Sequence, residues 1–265
     1  MKLCFTSLAY PELGLNEVLE RAITMGFDGV ELHVADDGVH LRPEAPLPAR
    51  VKELLAGFKL PIPVLSSYLK ATSLLGEERE HGERTATNLL NMAADIGAIG
   101  VRIYGGQLAP DPRKTLRRAG ETLETLRRRL SGSQRNVVFL LETHDELAYQ
   151  DSLRLLVEEY PEAKVLYDPA NVIYAGGSHE EAFRLIAEHV AHVHIKDFKI
   201  EAGRRIFTLP GEGLAPIRKI VEDLVDHGYA GFVSVEWERF WHRDLPNADL
   251  VLPKYLAYLR GIICG

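Results

Sequence analysis

The sequence predicts one α/β domain, and three observations lead to this prediction. The chain has 265 residues, of which 46% are hydrophobic and 26% are charged, so it can bury one large core. Short β-branched runs alternate with amphipathic segments along its whole length. No linker, low-complexity stretch or block of like charge divides the chain. We therefore expect residues 1–265 to form a single domain.

Eight strand segments can be identified, each a short apolar run that ends in a turn. In chain order they are KLCFTS, GVELHV, IPVLSSY, VRIYGG, NVVFLLETH, AKVLYD, HVHIKD and FVSVEWE. Each strand segment is followed by a stretch with apolar residues at helical spacing. In the same order these are LNEVLERAITMGF, PARVKELLAGF, ERTATNLLNMAADIG, PRKTLRRAGETLETLRRRL, LAYQDSLRLLVEEY, SHEEAFRLIAEHV, APIRKIVEDLVDHG and NADLVLPKYLAYLRGII.

Strict alternation of strand and helix implies parallel strands, because a crossover helix joins each strand to the next. A doubly wound open sheet is the rival architecture. No Gly-x-Gly-x-x-Gly motif follows the first strand, and eight regular units favour closure of the sheet. We therefore predict a single-domain TIM (β/α)8 barrel with eight parallel strands.

Charge and composition exclude several classes of protein. The formal net charge of −7 argues against a nucleic-acid partner, since phosphate binding needs a basic surface. The sequence lacks any apolar run of about 18 residues, which excludes a membrane span, and MKLCFTSLAYPEL lacks the apolar core of a signal peptide. Cys4 and Cys264 have neither metal nor redox spacing. We expect a cytoplasmic protein with two reduced thiols.

Polar residues recur at the ends of the last four barrel strands. Reactive residues of a TIM barrel lie at the C-terminal ends of its strands. Strands five to eight carry there Glu142 and His144, Asp168, His194 and Lys196, and Ser234 and Glu236. Because residues two apart in a strand share a face, four consecutive strands each direct a carboxylate or an imidazole to the same mouth.

Three carboxylates buried together repel one another and lose their hydration. One divalent cation is the simplest compensation, with Glu142, Asp168, His194 and Glu236 as its ligands. Three oxygen donors and one imidazole suit Mn²⁺, Mg²⁺, Co²⁺ or Zn²⁺. His192 lies deeper in the strand, and we expect it to pack there or to support a ligand.

Several motifs are similar, in order and spacing, to blocks of the xylose isomerase-like TIM barrels, a family of sugar isomerases, epimerases and related lyases. They are MGFDGVELHV, LLETHD, LYDPANV, HVHIKDF, LPGEG and VSVEWE. The resemblance implies that the four residues named above bind one divalent metal. It also implies a homodimer or homotetramer, and a small sugar or polyol-derived substrate. The first prediction is an isomerase or epimerase that forms an enediolate, with Glu142 and Glu236 transferring protons on opposite faces.

Three alternatives to this prediction stay open. The neutral imidazole of His144 is a competent base and the ammonium of Lys196 can hold an enolate oxygen, a combination that resembles the dehydratases of the same family, which act on 3-dehydroshikimate or inosose, unless both residues only orient substrate hydroxyls. An endonuclease IV-like nuclease is disfavoured, because Asn171 stands where a further histidine is expected and KIEAGRRIFTLPGEG lacks Asp-x-His. A non-catalytic sugar-binding protein is the third alternative.

Further residues are predicted to surround the substrate. His33, Tyr68 and Tyr104 fall at or just past the ends of strands two to four, where they suit contacts with substrate hydroxyls. Arg204 and Arg205 lie in a predicted hairpin after strand seven, where a solvated turn is expected; the alternative is that Arg205 reaches over the pocket to a carboxylate or phosphate. The aromatic residues that follow Glu236 predict a lid or a subunit contact. They are Trp237, Phe240 and Trp241.

Overall fold

Eight parallel strands form a closed barrel in the computed structural model, which describes residues 1–130 and 136–264. The barrel strands are β1 (Lys2–Thr6), β2 (Gly29–Val34), β3 (Val64–Lys70), β4 (Gly100–Tyr104), β5 (Val138–Glu142), β6 (Lys164–Tyr167), β7 (Val190–Ile195) and β10 (Phe232–Val235). The sheet closes because β1 pairs with both β2 and β10, so that Cys4 lies between Gly29 and Ser234. The predicted TIM barrel is confirmed.

Helices surround the barrel and bury one apolar face each against it. They are α1 (Leu15–Met25), α2 (Ala49–Phe58), α3 (Arg79–Ile96), α4 (Pro112–Arg128), α5 (Gln150–Glu159), α6 (Pro169–Tyr174), α7 (His179–Ile186), α8 (Ile217–Asp226) and α9 (Ala248–Ile263). In α1 the buried residues are Val18, Leu19 and Ala22, and the helix ends at Gly26, whose φ of 85° suits glycine. None of the helices in the described ranges is long and apolar enough to cross a membrane.

The short helix α6 was not predicted. Six residues are too few to show a helical period, so the sequence pattern around it indicates only a turn. Asp168 begins this helix as its N-cap, and its Oδ1 accepts a hydrogen bond from the backbone N–H of Asn171 at 3.1 Å. The helix therefore fixes the direction of the Asp168 side chain at the barrel mouth.

An antiparallel hairpin follows β7, as predicted for Arg204 and Arg205. Its strands are β8 (Asp197–Glu201) and β9 (Arg204–Thr208), and they are joined by Ala202 and Gly203, both with positive φ. Two central residues with positive φ form the tight turn whose twist matches a hairpin. The hairpin projects from the end of β7 that carries the polar residues.

Asp197 organises the loop that leads from this hairpin to α8. Its buried carboxylate accepts hydrogen bonds from four backbone N–H groups at 2.9–3.1 Å: those of Phe198, Gly211, Gly213 and Ala215. A Cβ at position 213 would lie 2.1 Å from Oδ1 of Asp197. Gly213, the second glycine of LPGEG, therefore permits the close approach of loop and carboxylate.

The inside of the barrel is apolar at one end and polar at the other. Val64, Leu140 and Leu166 form a small buried cluster inside the strands. Cys4 is buried and Cys264 is exposed, and neither forms a disulfide in the described part of the chain. The larger apolar core lies between the strands and the helices, so the strand ends are left free for polar side chains.

Candidate active site

Four side chains from adjacent strands meet at the barrel mouth. Glu142 ends β5, Asp168 follows β6, His194 lies in β7 and Glu236 follows β10. One potential ligand atom of each lies within 4.8 Å of those of the other three, and all four residues are buried. The residues predicted as metal ligands are therefore brought together by the register of the strands.

Two buried atoms of this cluster make no hydrogen bond within the described part of the chain. Nδ1 of His194 lies 3.3 Å from Oε1 of Glu236 and 3.9 Å from Oε1 of Glu142. Neither this Nδ1 nor Oε2 of Glu142 has a hydrogen-bond partner among the described residues. Buried polar atoms without partners are rare in proteins and call for an unseen ligand or water. A cation bound in the cluster would satisfy Nδ1 of His194, whereas Oε2 of Glu142 already has the charge of Arg102 at 3.3 Å.

Glu31 of β2 was missed in the sequence. It is completely buried, and its two oxygens lie 2.9 and 3.0 Å from Nε2 of His194. Nε2 of His192 lies 2.8 Å from Glu31, and the hydroxyl of Ser66 also donates to it. Burial alone would raise the pKa of Glu31, but His194 and His192 lower it well below its usual range. Alternation in GVELHV places Glu31 on the inward face with His33, which was the available signal.

Arg102 is a second inward residue that was missed. Its guanidinium is 1% exposed, and Nη1 lies 3.3 Å from Oε2 of Glu142. Burial and the charge of Glu236 raise the pKa of Glu142, although Arg102 opposes this shift. Arg102 also lies over the rings of Tyr104 and Tyr68, at 4.5 and 5.2 Å. Arg102 thus contacts both Glu142, a predicted metal ligand, and the rings of Tyr68 and Tyr104, which are predicted to contact substrate.

Lys196 points inward, as predicted, and contacts three carboxylates. Its Nζ lies 2.8 Å from Asp168, 2.5 Å from Glu236 and 2.8 Å from Glu238. Burial would raise the pKa of Glu236, but Lys196 and His194 hold it well below its usual range. Glu238 is the third residue that was missed, because its position past the end of the strand gives no periodic signal.

The charge balance at the mouth fits a divalent ion. Five carboxylates face three side-chain cations, which leaves two negative charges in excess. The carboxylates are Glu31, Glu142, Asp168, Glu236 and Glu238, and the cations are Arg102, Lys196 and Arg205. Three oxygen donors and one imidazole nitrogen are typical ligands of such an ion. The residues present therefore fit a single divalent metal.

Aromatic side chains form one wall of the mouth. The ring of His144 lies 4.6 Å from that of Tyr104, Tyr104 lies 5.9 Å from Tyr68, and Tyr68 lies 5.3 Å from His33. His33 is buried, whereas the side chain of His144 is 32% exposed. The predicted base is thus accessible at the rim, next to the buried Glu142.

Arg205 contacts residues that follow β6 and β10 at the mouth. Its Nη1 donates to Oδ1 of Asn171 at 2.9 Å, and Nη2 lies 3.8 Å from Glu238. Asn171 in turn donates to Oδ2 of Asp168 at 3.0 Å. The guanidinium lies over the ring of Tyr174 at 4.9 Å. The hairpin therefore brings Arg205 to the mouth, and the residue is not a solvated turn residue.

The segment after β10 lies along the aromatic wall. The ring of Phe240 is 4.8 Å from that of His33, and Trp241 is 5.7 Å from Tyr68. Trp237 is buried and donates its indole N–H to the carbonyl of Pro246 at 2.9 Å. These contacts are within the chain, and the choice between lid and subunit contact stays a prediction.

The chain matches the family model of the xylose isomerase-like TIM barrel over residues 19–260. It is 26% identical to an inosose dehydratase of Geobacillus thermodenitrificans over 121 residues, which is 39% of this chain. The match spans 41% of that relative, less than half of its length.

Two crystal structures share the fold over nearly the whole chain. The probable 3-DHS dehydratase AsbF of Bacillus anthracis has a TM-score of 0.77, 20% identity and 98% coverage of both chains. D-Psicose 3-epimerase of Clostridium cellulolyticum H10 has a TM-score of 0.72, 17% identity and 99% coverage of both. Since the family model covers most of the residues, the chain belongs to the xylose isomerase-like TIM-barrel family.

Proposed function

We propose that this protein is a divalent-metal-dependent dehydratase that removes water from a hydroxyketone derived from a sugar or polyol. The observation that carries the proposal is the contact between Lys196 and Glu236. Oε2 of Glu236 contacts Nζ of Lys196 at 2.5 Å, and its Oε1 lies 3.3 Å from Nδ1 of His194. Both oxygens are therefore engaged, which leaves Glu236 poorly placed to exchange a proton with substrate.

A different pair of residues is placed for proton transfer. His144 is accessible at the rim, and Lys196 is buried among the carboxylates. A divalent ion held by Glu142, Asp168, His194 and Glu236 would polarise a substrate carbonyl and stabilise the negative charge that develops on its oxygen. The chain supplies the base and the acid as two distinct groups, which follow β5 and β7, with β6 between these strands.

The proposed reaction is an elimination. His144 takes the proton from the carbon next to the carbonyl, and the electron pair of the broken C–H bond forms the enolate. The enolate collapses into a C=C bond as the hydroxyl on the next carbon leaves. Lys196 gives that hydroxyl a proton, so water departs and an enone remains. Afterwards His144 releases its proton to solvent and Lys196 takes one up from solvent, which restores both groups.

The comparisons support this class of chemistry. Curated relatives matched by part of the chain are inosose dehydratases, and AsbF is a probable 3-DHS dehydratase. Both names describe the removal of water. The substrate of the present protein is proposed only as a class: a cyclic or open-chain hydroxyketone with several hydroxyl groups, some of which would contact His33, Tyr68, Tyr104 and Arg205.

An isomerase or epimerase is the second candidate. It is favoured by the proximity of Glu142 and Glu236, whose oxygens lie within the same 4.8 Å cluster. It also requires Glu236 to leave Lys196 when substrate binds. The fold shared with D-psicose 3-epimerase is consistent with both candidates.

Solvent deuterium exchange distinguishes the two candidates. The protein is loaded with Mn²⁺ in D₂O and incubated with inososes, 3-dehydroshikimate and ketohexoses, and the products are followed by NMR. A dehydratase yields an enone or aromatic product. An epimerase yields an epimer with deuterium next to the carbonyl. If no substrate exchanges or reacts, the proposal fails in favour of a sugar-binding protein.

Variants of His144, the proposed base, test its role directly. His144→Gln is expected to lower turnover by about 10²–10⁴-fold, the usual contribution of a general base. The matched control is His81→Gln, because His81 is half exposed on α3 and its ring lies 3.7 Å from Glu44 on the surface. Full turnover in His144→Gln would favour the glutamate mechanism.

A further inference from the structure

We infer that Glu31 is a positioning residue that holds His194 with Nδ1 directed at the metal cluster. This inference rests on the proposed metal site. Both oxygens of Glu31 lie within 3.0 Å of Nε2 of His194, and both side chains are completely buried.

The hydrogen-bond chemistry assigns the tautomer. An ionised carboxylate only accepts hydrogen bonds, so Nε2 of His194 must carry the proton that lies against Glu31. In a neutral imidazole the lone pair is then on Nδ1, the atom that lies 3.3 Å from Oε1 of Glu236. A carboxylate on the far nitrogen of a ligating histidine fixes its ring and increases its basicity.

Two further donors hold the carboxylate itself. His192 contacts Oε2 of Glu31 at 2.8 Å, and the hydroxyl of Ser66 donates to Oε1. With His194 these are three donors from β3 and β7, so rotation of the carboxylate would break several hydrogen bonds at once. His192 therefore acts through Glu31, although its own ring lies deeper in the barrel.

A competing role for Glu31 is that of a metal ligand. Potential ligand atoms of Cys4, Glu31 and His192 also lie within 4.8 Å of one another, and all three residues are buried. A metal there would have to displace the contact between His192 and Glu31 and bind a second equivalent of ion per chain. Stoichiometry therefore separates this role from positioning.

The first experiment measures Mn²⁺ affinity by competition with a chelator. In Glu31→Gln the negative charge is lost and only one oxygen remains to accept hydrogen bonds, so the ring of His194 is held less firmly and is less basic. We expect binding to weaken by about 10–100-fold, the usual effect of losing such a partner. Glu20→Gln is the matched control, because Glu20 is exposed on α1 and accepts a hydrogen bond from Asn16 there, and its affinity should equal that of the wild type. Unchanged affinity in Glu31→Gln would overturn the inference.

Two measurements on the wild-type protein test the inference even if Glu31→Gln does not fold. Metal analysis should find one ion per chain, and two ions would favour the Cys4–Glu31–His192 ligand set. NMR of ¹⁵N-histidine protein loaded with ¹¹³Cd²⁺ should show cadmium coupling at Nδ1 of His194 and a proton on Nε2. Coupling at Nε2 would overturn the inference. These tests follow metal binding alone, so they can succeed even if the protein proves not to be a dehydratase.

Discussion

Nη1 of Arg102 lies 3.3 Å from Oε2 of Glu142, and each side chain is at most 2% exposed. The two residues lie on neighbouring strands, β4 and β5, inside the barrel. Burial would lower the pKa of Arg102, but the charges of Tyr104 and Glu142 raise it further above its usual range. The guanidinium therefore stays charged and compensates a carboxylate that burial would otherwise disfavour.

Replacing this cation should destabilise the fold. In Arg102→Met the carboxylate of Glu142 is left buried without its partner, and breaking a buried pair in this way typically costs about 3–5 kcal/mol. Urea unfolding in the presence of EDTA measures the loss. The control is Arg117→Met, since Arg117 pairs with Glu159 on the surface and such pairs contribute about 0–1 kcal/mol. Equal losses in the two variants would contradict a compensating role for Arg102.

Removal of a ligand should abolish metal binding and leave the fold intact. We expect His194→Ala and Glu236→Gln to lose bound metal and activity. Wild-type protein in Mn²⁺ at 100 times its Kd should gain about 2.7 kcal/mol of unfolding free energy, and the two variants should gain none. Thermal and urea unfolding with and without Mn²⁺ measure this difference. Full metal occupancy and turnover in either variant would show that the ligand assignment is wrong.

The buried His33 should make stability depend on pH. Burial lowers the pKa of His33 to about 4, whereas its unfolded value is 6.5. The unfolded chain therefore binds more protons between these values, so stability is highest above pH 6.5 and falls as the pH drops towards 4. Between pH 7 and pH 5 the contribution is about 2 kcal/mol.

Denaturant unfolding at these two pH values, with EDTA throughout, checks this prediction. His33→Gln should lose less stability than the wild type when the pH is lowered from 7 to 5. His81→Gln should behave like the wild type, because the side chain of His81 is 55% exposed. The prediction is wrong if His33→Gln retains the full pH dependence.

Asp197→Asn should loosen the loop between the hairpin and α8. The carboxylate accepts four backbone hydrogen bonds, and an amide would turn a donor towards two of them. We expect a loss of about 2–4 kcal/mol in urea unfolding, since hydrogen bonds to charged groups are among the stronger ones. Asp95→Asn, which breaks an exposed pair with Lys52, is the control and should change stability little. Comparable values for the two variants would refute the role of Asp197.

The sequence by itself determined the barrel and the four clustered residues. Alternating strand and helix patterns predict parallel crossovers, and polar residues at strand ends predict what the mouth contains. Glu142, Asp168, His194 and Glu236 could be identified because each follows from the period of its own strand. The hairpin that carries Arg205 was likewise predicted from local turn residues.

Only the tertiary structure decided which groups contact these four. Glu31 meets His194 across 163 residues of sequence, because barrel closure leaves only β1 and β10 between β2 and β7 and both side chains point inward. Lys196 was predicted to point inward, but its contacts with Glu236 and Glu238 depend on how β7 and β10 are staggered. Periodicity reports the face on which a side chain lies, whereas its partner depends on closure and register, which are set by long-range packing.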